Sequence, residues 1–237
     1  VFPFWARAEQ IAPLFAYARA TQASVRPLEM AGFDVQVTAR GSRDRFSADL
    51  RAFVAPLNNA PLGGAAEEAL AARTRLYETS FQSAEDLAAL VRATETLQVG
   101  APVLQASSGA SHAGFMMRAI ENMRVDAQLR FDRRRAPAPT VAWENRRDAL
   151  NAQNARWLIE ERFRGRKVVI WAHNAHVMNA YYAANFRDVS VRRRADHMKP
   201  TGVFLKEWYG ADVFTIGVTA YEGEDRMIGV DRTTRIE

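Results

Sequence analysis

The amino-acid sequence predicts an α/β protein, a mostly parallel sheet flanked by helices, with a helical subdomain inserted into it. Two observations carry that prediction. The apolar runs Lys167 to Ala172 and Val213 to Thr219 are short and separated by helical patterning, the mark of strands joined through a helical crossover. Between Ser42 and Phe131, by contrast, nearly everything reads as helix and no strand-like alternation interrupts it. Residues 1–41 are therefore expected to form part of the α/β domain, 42–135 the helical insertion, and 136–237 the rest of the α/β domain.

Taken in order, residues 4 to 21 place Trp5, Ile11, Leu14, Phe15 and Ala18 at spacings close to three and four, an amphipathic helix that Pro13 is expected to kink. Leu28 to Val37, introduced by Pro27, suits a buried strand running through Met30, Phe33 and Val35 into a loop at Gly41. Helices follow over Ser42 to Ala55, Ala65 to Thr79, Ser83 to Gln98 and Ser111 to Phe131, separated at Pro56 to Gly64 and at Gly100 to Pro102. Ser83 stands three residues before Asp86, a variant of the capping box, and Asp44 places negative charge in the first turn after Ser42. Arg133-Arg134-Arg135 and Ala136-Pro137-Ala138-Pro139 read as a solvated turn and stiff linker. A helix from Trp143 to Arg164 stops at Gly165, and Lys167 to Ala172 is a central-type strand. The pattern repeats with a helix from His176 to Phe186, a basic loop at Arg192-Arg193-Arg194, a short helix capped by Thr201 and ended at Gly210, and the strand at Val213.

Composition narrows the function classes. The 237 residues carry a formal charge of +5, but only three of the 32 basic residues are lysine and the arginines are scattered, so the skew reads as coding bias and no nucleic-acid partner is expected. No run approaches the ~18 consecutive apolar residues of a membrane helix, so no membrane partner is expected either. The absence of cysteine excludes thiol catalysis, Cys-ligated zinc and disulfides. Val1-Phe2-Pro3-Phe4-Trp5 has neither an initiator Met nor a signal-peptide pattern, and the sequence reads as a fragment of a longer chain.

The most informative stretch is Val168-Val169-Ile170-Trp171-Ala172-His173-Asn174-Ala175-His176, an apolar run that ends in two imidazoles and an amide where a helix should begin. Polar groups at the carboxyl end of a strand face the crevice in which α/β proteins bind ligands, so His173 and His176 suit proton transfer at neutral pH and Asn174 suits orienting a ring or donating to an oxyanion. The bland reading is that one His caps the next helix and the other fills a polar gap. A metal reading also exists, since imidazoles three residues apart can share a helix face. Zinc needs a third protein ligand, however, which neither His112 nor His197 supplies by local spacing. No cofactor is therefore expected, with zinc as the minor alternative. Arg146-Arg147-Asp148 offers a guanidinium to clamp a carbonyl or position a carboxylate, against the ordinary reading of a solvated pair at a helix start. Nucleophile elbows, phosphate-cradling loops and dinucleotide glycine patterns are missing, so a hydrolase here would activate water.

Taken together these residues resemble the erythromycin esterase family. Arg147-Asp148-Ala149-Leu150-Asn151-Ala152-Gln153-Asn154 is similar to the family's Arg-Asp-x-x-Met-Ala-x-Asn helix, with Asn151 in place of Met. Lys167 to Val177 is similar to its Val-Val-x-Trp-Ala-His-Asn-x-His strand end, and Met198-Lys199-Pro200-Thr201-Gly202 and Ile216-Gly217-Val218-Thr219 follow in register. Phe4-Trp5 with Glu9, and Gly32-Phe33-Asp34-Val35-Gln36, resemble upstream landmarks. The resemblance implies ester hydrolysis by activated water, with His173, His176 and Arg147 at catalytic positions and Asn174, Asp34 and Trp5 at substrate-binding ones. It implies a small-molecule ester as partner, macrolide lactones being the best-known class. It also implies a Gly-Glu-x-x-His-Gly stretch supplying the general base, which this sequence does not contain. The alternative is a divergent, non-catalytic or polysaccharide-biosynthesis-related member that keeps the same pocket for binding.

Overall fold

Local capping chemistry sets many of the helix boundaries in the computed structural model, which describes residues 9–36, 40–78, 83–135, 140–180, 197–218, 223–226 and 233–236. The chain splits into two units, Val1–Val168 and Val169–Glu237.

The first unit is helical. A 3-10 turn at Glu9–Ile11 leads into α1 (Ala12–Ala20), whose Pro13 stands in the first turn, where a missing N–H has no intrahelical bond to lose. After residues 28–36, which form no ladder, come α2 (Arg40–Val54), α3 (Ala60–Glu78), α4 (Ala84–Val99), α5 (Ala101–Ser108), α6 (Ala110–Arg135) and α7 (Val141–Trp157). Ser83 caps α4 as its sequence predicts, its hydroxyl accepting from the Asp86 N–H at 2.9 Å. Thr140 does the same for α7. α3 begins earlier than the glycine pair suggests, because Asn58 takes a left-handed conformation at φ 45° and Asn59 accepts from the Leu62 N–H. Gly63 and Gly64 thus lie within a helix rather than a loop. Arg133–Arg135, expected in a linker, form the last turn of α6, where cations complement the negative end of the helix dipole. α7 widens into a π-helical turn at Leu158–Arg162, and Gly165 follows at φ 74°.

α6 organises this unit because it is buried along two stripes. Ala113, Met116, Ile120, Met123 and Ala127, spaced by three and four, join the cores made with α2, α3, α4 and α5 around Leu50, Leu76, Leu90, Leu97 and Leu104. Val125 and Leu129 point elsewhere, packing with Val35 and with Trp143 and Leu150 of α7. That second stripe brings α7 and the segment at residues 33–36 together.

The second unit contains α8 (Asn174–Val177), α9 (Thr201–Tyr209) and an antiparallel pair, β1 (Gly223–Arg226) and β2 (Thr233–Ile236), with Gly223 opposite Ile236. α9 ends at Gly210, φ 53°, as its sequence predicts. Pro200 rather than Thr201 occupies the cap position, and Thr201 is the first helical residue, fully buried.

The expected α/β architecture is overturned. Among the described residues the protein is predominantly helical, and the ladder they form is antiparallel and two-stranded, not parallel and flanked by helices. Lys167 to Ala172 was expected as a buried central strand, yet it pairs with nothing in a ladder, and Val169 is 92% and Trp171 54% exposed. Val213 to Val218 likewise lacks a ladder and exposes Phe214, Ile216 and Val218. An apolar β-branched run reports a preference for extended, half-buried backbone, whereas a strand exists only where a neighbour supplies hydrogen bonds. Of the helix expected from His176 to Phe186, His176 and Val177 lie in α8 and Met178 is already extended, while residues 181–186 and Arg192–Arg194 lie outside the described residues. No helix among the described residues is long and apolar enough to cross a membrane.

Candidate functional site

In the first unit, Arg147, Asn151 and Asn154 are spaced by four and three residues and so occupy one face of α7. That face holds residues 33–36. A segment buried without a strand partner must satisfy its backbone groups in some other way, and here side-chain amides do so. The Val35 N–H donates to Asn151 Oδ1 at 2.8 Å, and Asn154 Nδ2 donates to the Phe33 carbonyl at 3.0 Å. Asn154 is locked further by Asn122 Oδ1, which accepts at 2.9 Å, and by Arg118 Nη1, which donates to its Oδ1 at 3.3 Å. Arg118 lies over the Trp157 ring, and desolvation lowers its pKa from the ordinary arginine value, which is high enough that it remains a cation near neutral pH.

Between those two amides the backbone turns Asp34 toward Arg147. Arg147 Nη2 donates to Asp34 Oδ2 at 2.6 Å and Nε to Oδ1 at 3.3 Å, a bidentate pair in which the guanidinium side chain is 18% and the carboxylate 36% exposed. Asp34 Oδ1 also accepts from the Gln36 N–H at 3.1 Å. The ordinary reading of Arg147 as half of a solvated pair with its neighbour Asp148 is thereby corrected: its partner is 113 residues away, and Asp148 is buried. Asp34 and Arg147, both sequence candidates, are brought together. The Asp34 carboxylate is occupied by the contact, so the residue acts here by holding Arg147.

Sequence reasoning noted Asn151 only as a residue in place of the family's Met. It is 3% exposed and is the acceptor for a buried N–H. The signal was present, because Arg147, Asp148, Asn151 and Asn154 make a polar stripe at helical spacing on a helix whose apolar residues cannot account for it. Asn151→Met would replace the amide with a longer apolar side chain and strand the Val35 N–H. Urea denaturation is expected to show a loss of about 1–3 kcal/mol, and an unchanged midpoint would mean that the Val35 N–H finds another acceptor.

In the second unit, His173 stands at the N-cap of α8 in extended conformation, and its Nδ1 accepts from the Ala175 N–H at 3.1 Å. One half of the bland reading therefore holds, since His173 does cap. That bond also assigns the neutral tautomer: with Nδ1 accepting, the ring proton sits on Nε2. The Asn174 amide closes on both backbone groups of one residue in the other apolar run, Nδ2 donating to the Val218 carbonyl at 2.6 Å and Oδ1 accepting from the Val218 N–H at 3.3 Å. It takes the place of a strand neighbour. His176, half-buried, follows with its backbone N–H on the His173 carbonyl at 2.8 Å. Trp5 lies outside the described residues. No group of three or more His, Asp or Glu side chains with metal-holding geometry occurs among those described, and His112 packs edge-on against Phe53 in the first unit.

A family model described as Erythromycin esterase matches residues 1–232, nearly the whole chain. The chain belongs to the erythromycin esterase family. No curated protein and no solved structure matches it. In this erythromycin esterase family member the matched stretch includes Arg147 with its Asp34 partner and the complete His173-Asn174-Ala175-His176 turn. Membership supports an esterase-type hydrolase.

Proposed function

We propose that this family member hydrolyses carboxylic esters by water activation, macrolide lactones being the first substrate class to test. The observation that carries the reading is the family match over 1–232, a stretch that contains the two imidazoles and the paired guanidinium. The chemistry each group offers agrees with it. His173, with Nδ1 accepting a backbone N–H, presents Nε2–H as a donor for the oxyanion that forms when water adds to an ester carbonyl. His176 supplies a second imidazole one helical turn on, a side chain of the type suited to taking the proton from that water. In the first unit, Arg147 is held as a fixed positive charge by the bidentate Asp34 contact.

A second reading, binding without turnover, is favoured by the structural employment of His173 Nδ1 and of both polar atoms of Asn174. A screen of ester substrates, macrolides included, on the complete protein with and without chelator separates the two. Ester cleavage that survives chelation is the expected result. Saturable macrolide binding with no product supports the second reading, and turnover abolished by chelator and restored by zinc replaces the metal-free mechanism.

A further inference from the structure

Buried guanidinium groups are normally paired, because an unpaired buried cation retains most of its desolvation cost. Three arginines in this chain follow a common pattern. Arg51, Arg124 and Arg147 each direct Nε and Nη2, the two parallel donors on one edge of the guanidinium, to the two oxygens of a carboxylate on Glu67, Glu121 and Asp34. Arg73, in the C-terminal part of α3, departs from it. Its side chain is inside the helical unit, 7% exposed, and the atoms without a hydrogen-bond partner are Nε and Nη2, the same edge.

The surroundings explain why no protein carboxylate fills it. Asp126 on α6 is buried and already committed at both oxygens, accepting from the Tyr77 hydroxyl at Oδ2 and from Arg130 Nε at Oδ1, 3.0 Å away. Burial and the neighbouring Asp126 carboxylate push the Tyr77 phenol well above its ordinary pKa, so it stays a donor to Asp126. Asp126 is thus committed to Arg130 and Tyr77, and the Nε/Nη2 edge of Arg73 is left without an acceptor. The Arg73 guanidinium carbon lies 5.6 Å from the centre of the Phe46 ring and 5.2 Å from that of Tyr77, and Arg130 lies 4.5 Å from the Tyr77 ring. Aromatic faces attract a cation but accept neither N–H in the way that an oxyanion does. Phe46 and Tyr77 are both only partly buried, but Tyr77 is tied to Asp126 by its hydroxyl, so the Phe46 ring is the wall freer to swing outward.

We propose that Arg73 is the receptor of a small-oxyanion site in the helical unit, its Nε/Nη2 edge accepting a carboxylate or phosphate bidentately when Phe46 swings aside. The ligand class follows from three features: a planar two-donor edge, one uncompensated positive charge, and walls of Phe46 and Tyr77 that leave the edge as the polar contact. The site is separate from the residues assigned to ester hydrolysis and does not depend on that assignment.

The test uses the complete protein with acetate and with inorganic phosphate as probes, at constant ionic strength set with chloride, and reads the thermal midpoint and a titration by calorimetry. At a tenfold excess over its Kd the preferred anion is expected to raise the midpoint by roughly 3–5 °C. R73K keeps the charge but loses the fork, and is expected to weaken binding by about tenfold or more. R73M removes both and is expected to abolish the anion response while being at least as stable as the unsubstituted protein in anion-free buffer, because it deletes an unpaired buried charge. A response to acetate but not phosphate, or the reverse, identifies the source. Equal midpoint shifts in R73M and the unsubstituted protein would overturn the site. So would a calorimetric Kd unaltered by R73K, or an R73M chain that is strongly destabilised or fails to fold, since either of those last results would show that Arg73 already has a partner.

Discussion

Gly202→Ala is expected to cost the second unit about 2–4 kcal/mol and to lower its unfolding midpoint by roughly 5–15 °C. A Cβ at this position would stand 2.0 Å from the Val177 carbonyl oxygen, 2.4 Å from the Val177 carbonyl carbon and 2.6 Å from the Met178 oxygen. All three are backbone atoms, so no side-chain rotation relieves the overlap, and α9 must retreat from the end of α8. The retreat is opposed because Thr201, Gly202 and Leu205 are the buried face of α9. Gly202 is needed here for close approach, not for an unusual backbone angle. Since Val177 directly follows His176, the displacement is also expected to reduce ester turnover. Gly217→Ala, where nothing lies within 4 Å of the added carbon, is the matched control and should stay within about 0.5 kcal/mol. Thermal unfolding of the two variants side by side decides the matter, and equal midpoints would mean that α8 and α9 are not in the contact described.

The second large effect is on chemistry. Removing the imidazole from position 173 or 176 is expected to reduce ester turnover by ~10² or more. His173→Ala alone is ambiguous, because it also deletes the acceptor for the Ala175 N–H and with it a helix cap worth about 1 kcal/mol. His173→Asn resolves this. Asparagine is among the best capping residues and restores an acceptor at the same place, but it has no counterpart to Nε2–H. The expected outcome is near-native stability by urea titration with turnover still depressed by about two orders of magnitude. If His173→Asn keeps full activity while His173→Ala loses stability, His173 is a cap and nothing more. His176→Ala, whose imidazole is not the cap, should depress turnover in its own right, and the ratio of kcat to KM effects would tell proton transfer from binding.

Much of the helical architecture was legible because its determinants are local. Ser83 with Asp86 before α4, Gly165 after the helix that ends at Arg162, and Gly210 after α9 act within four residues of the boundary they set. The misreadings within the helical unit were also local. The Gly63-Gly64 pair outweighed Asn58 and Asn59, which carry the turn and the cap, and Arg133–Arg135 were taken as linker when they close a helix. At the candidate site the residue types at Arg147, His173, Asn174 and His176 stood out in the sequence, but their contacts did not. Nothing near Arg147 in the chain distinguishes Asp34 from the adjacent Asp148, and nothing near Asn174 identifies the Val218 backbone.

By itself, then, the sequence determined where most helices begin and end, which family the chain belongs to, and which side chains carry titratable or cationic groups, since each of these is written in short-range pattern. Only the tertiary structure decided that the two apolar runs stay outside any parallel sheet, that Asp34 and not Asp148 holds Arg147, that Asn151 serves a buried backbone N–H, and that Gly202 admits no side chain. The physical reason is the same in every case. Ladder pairing, ion pairing and close packing are relations between residues tens to more than a hundred positions apart, and their free energy exists only once both partners are in place.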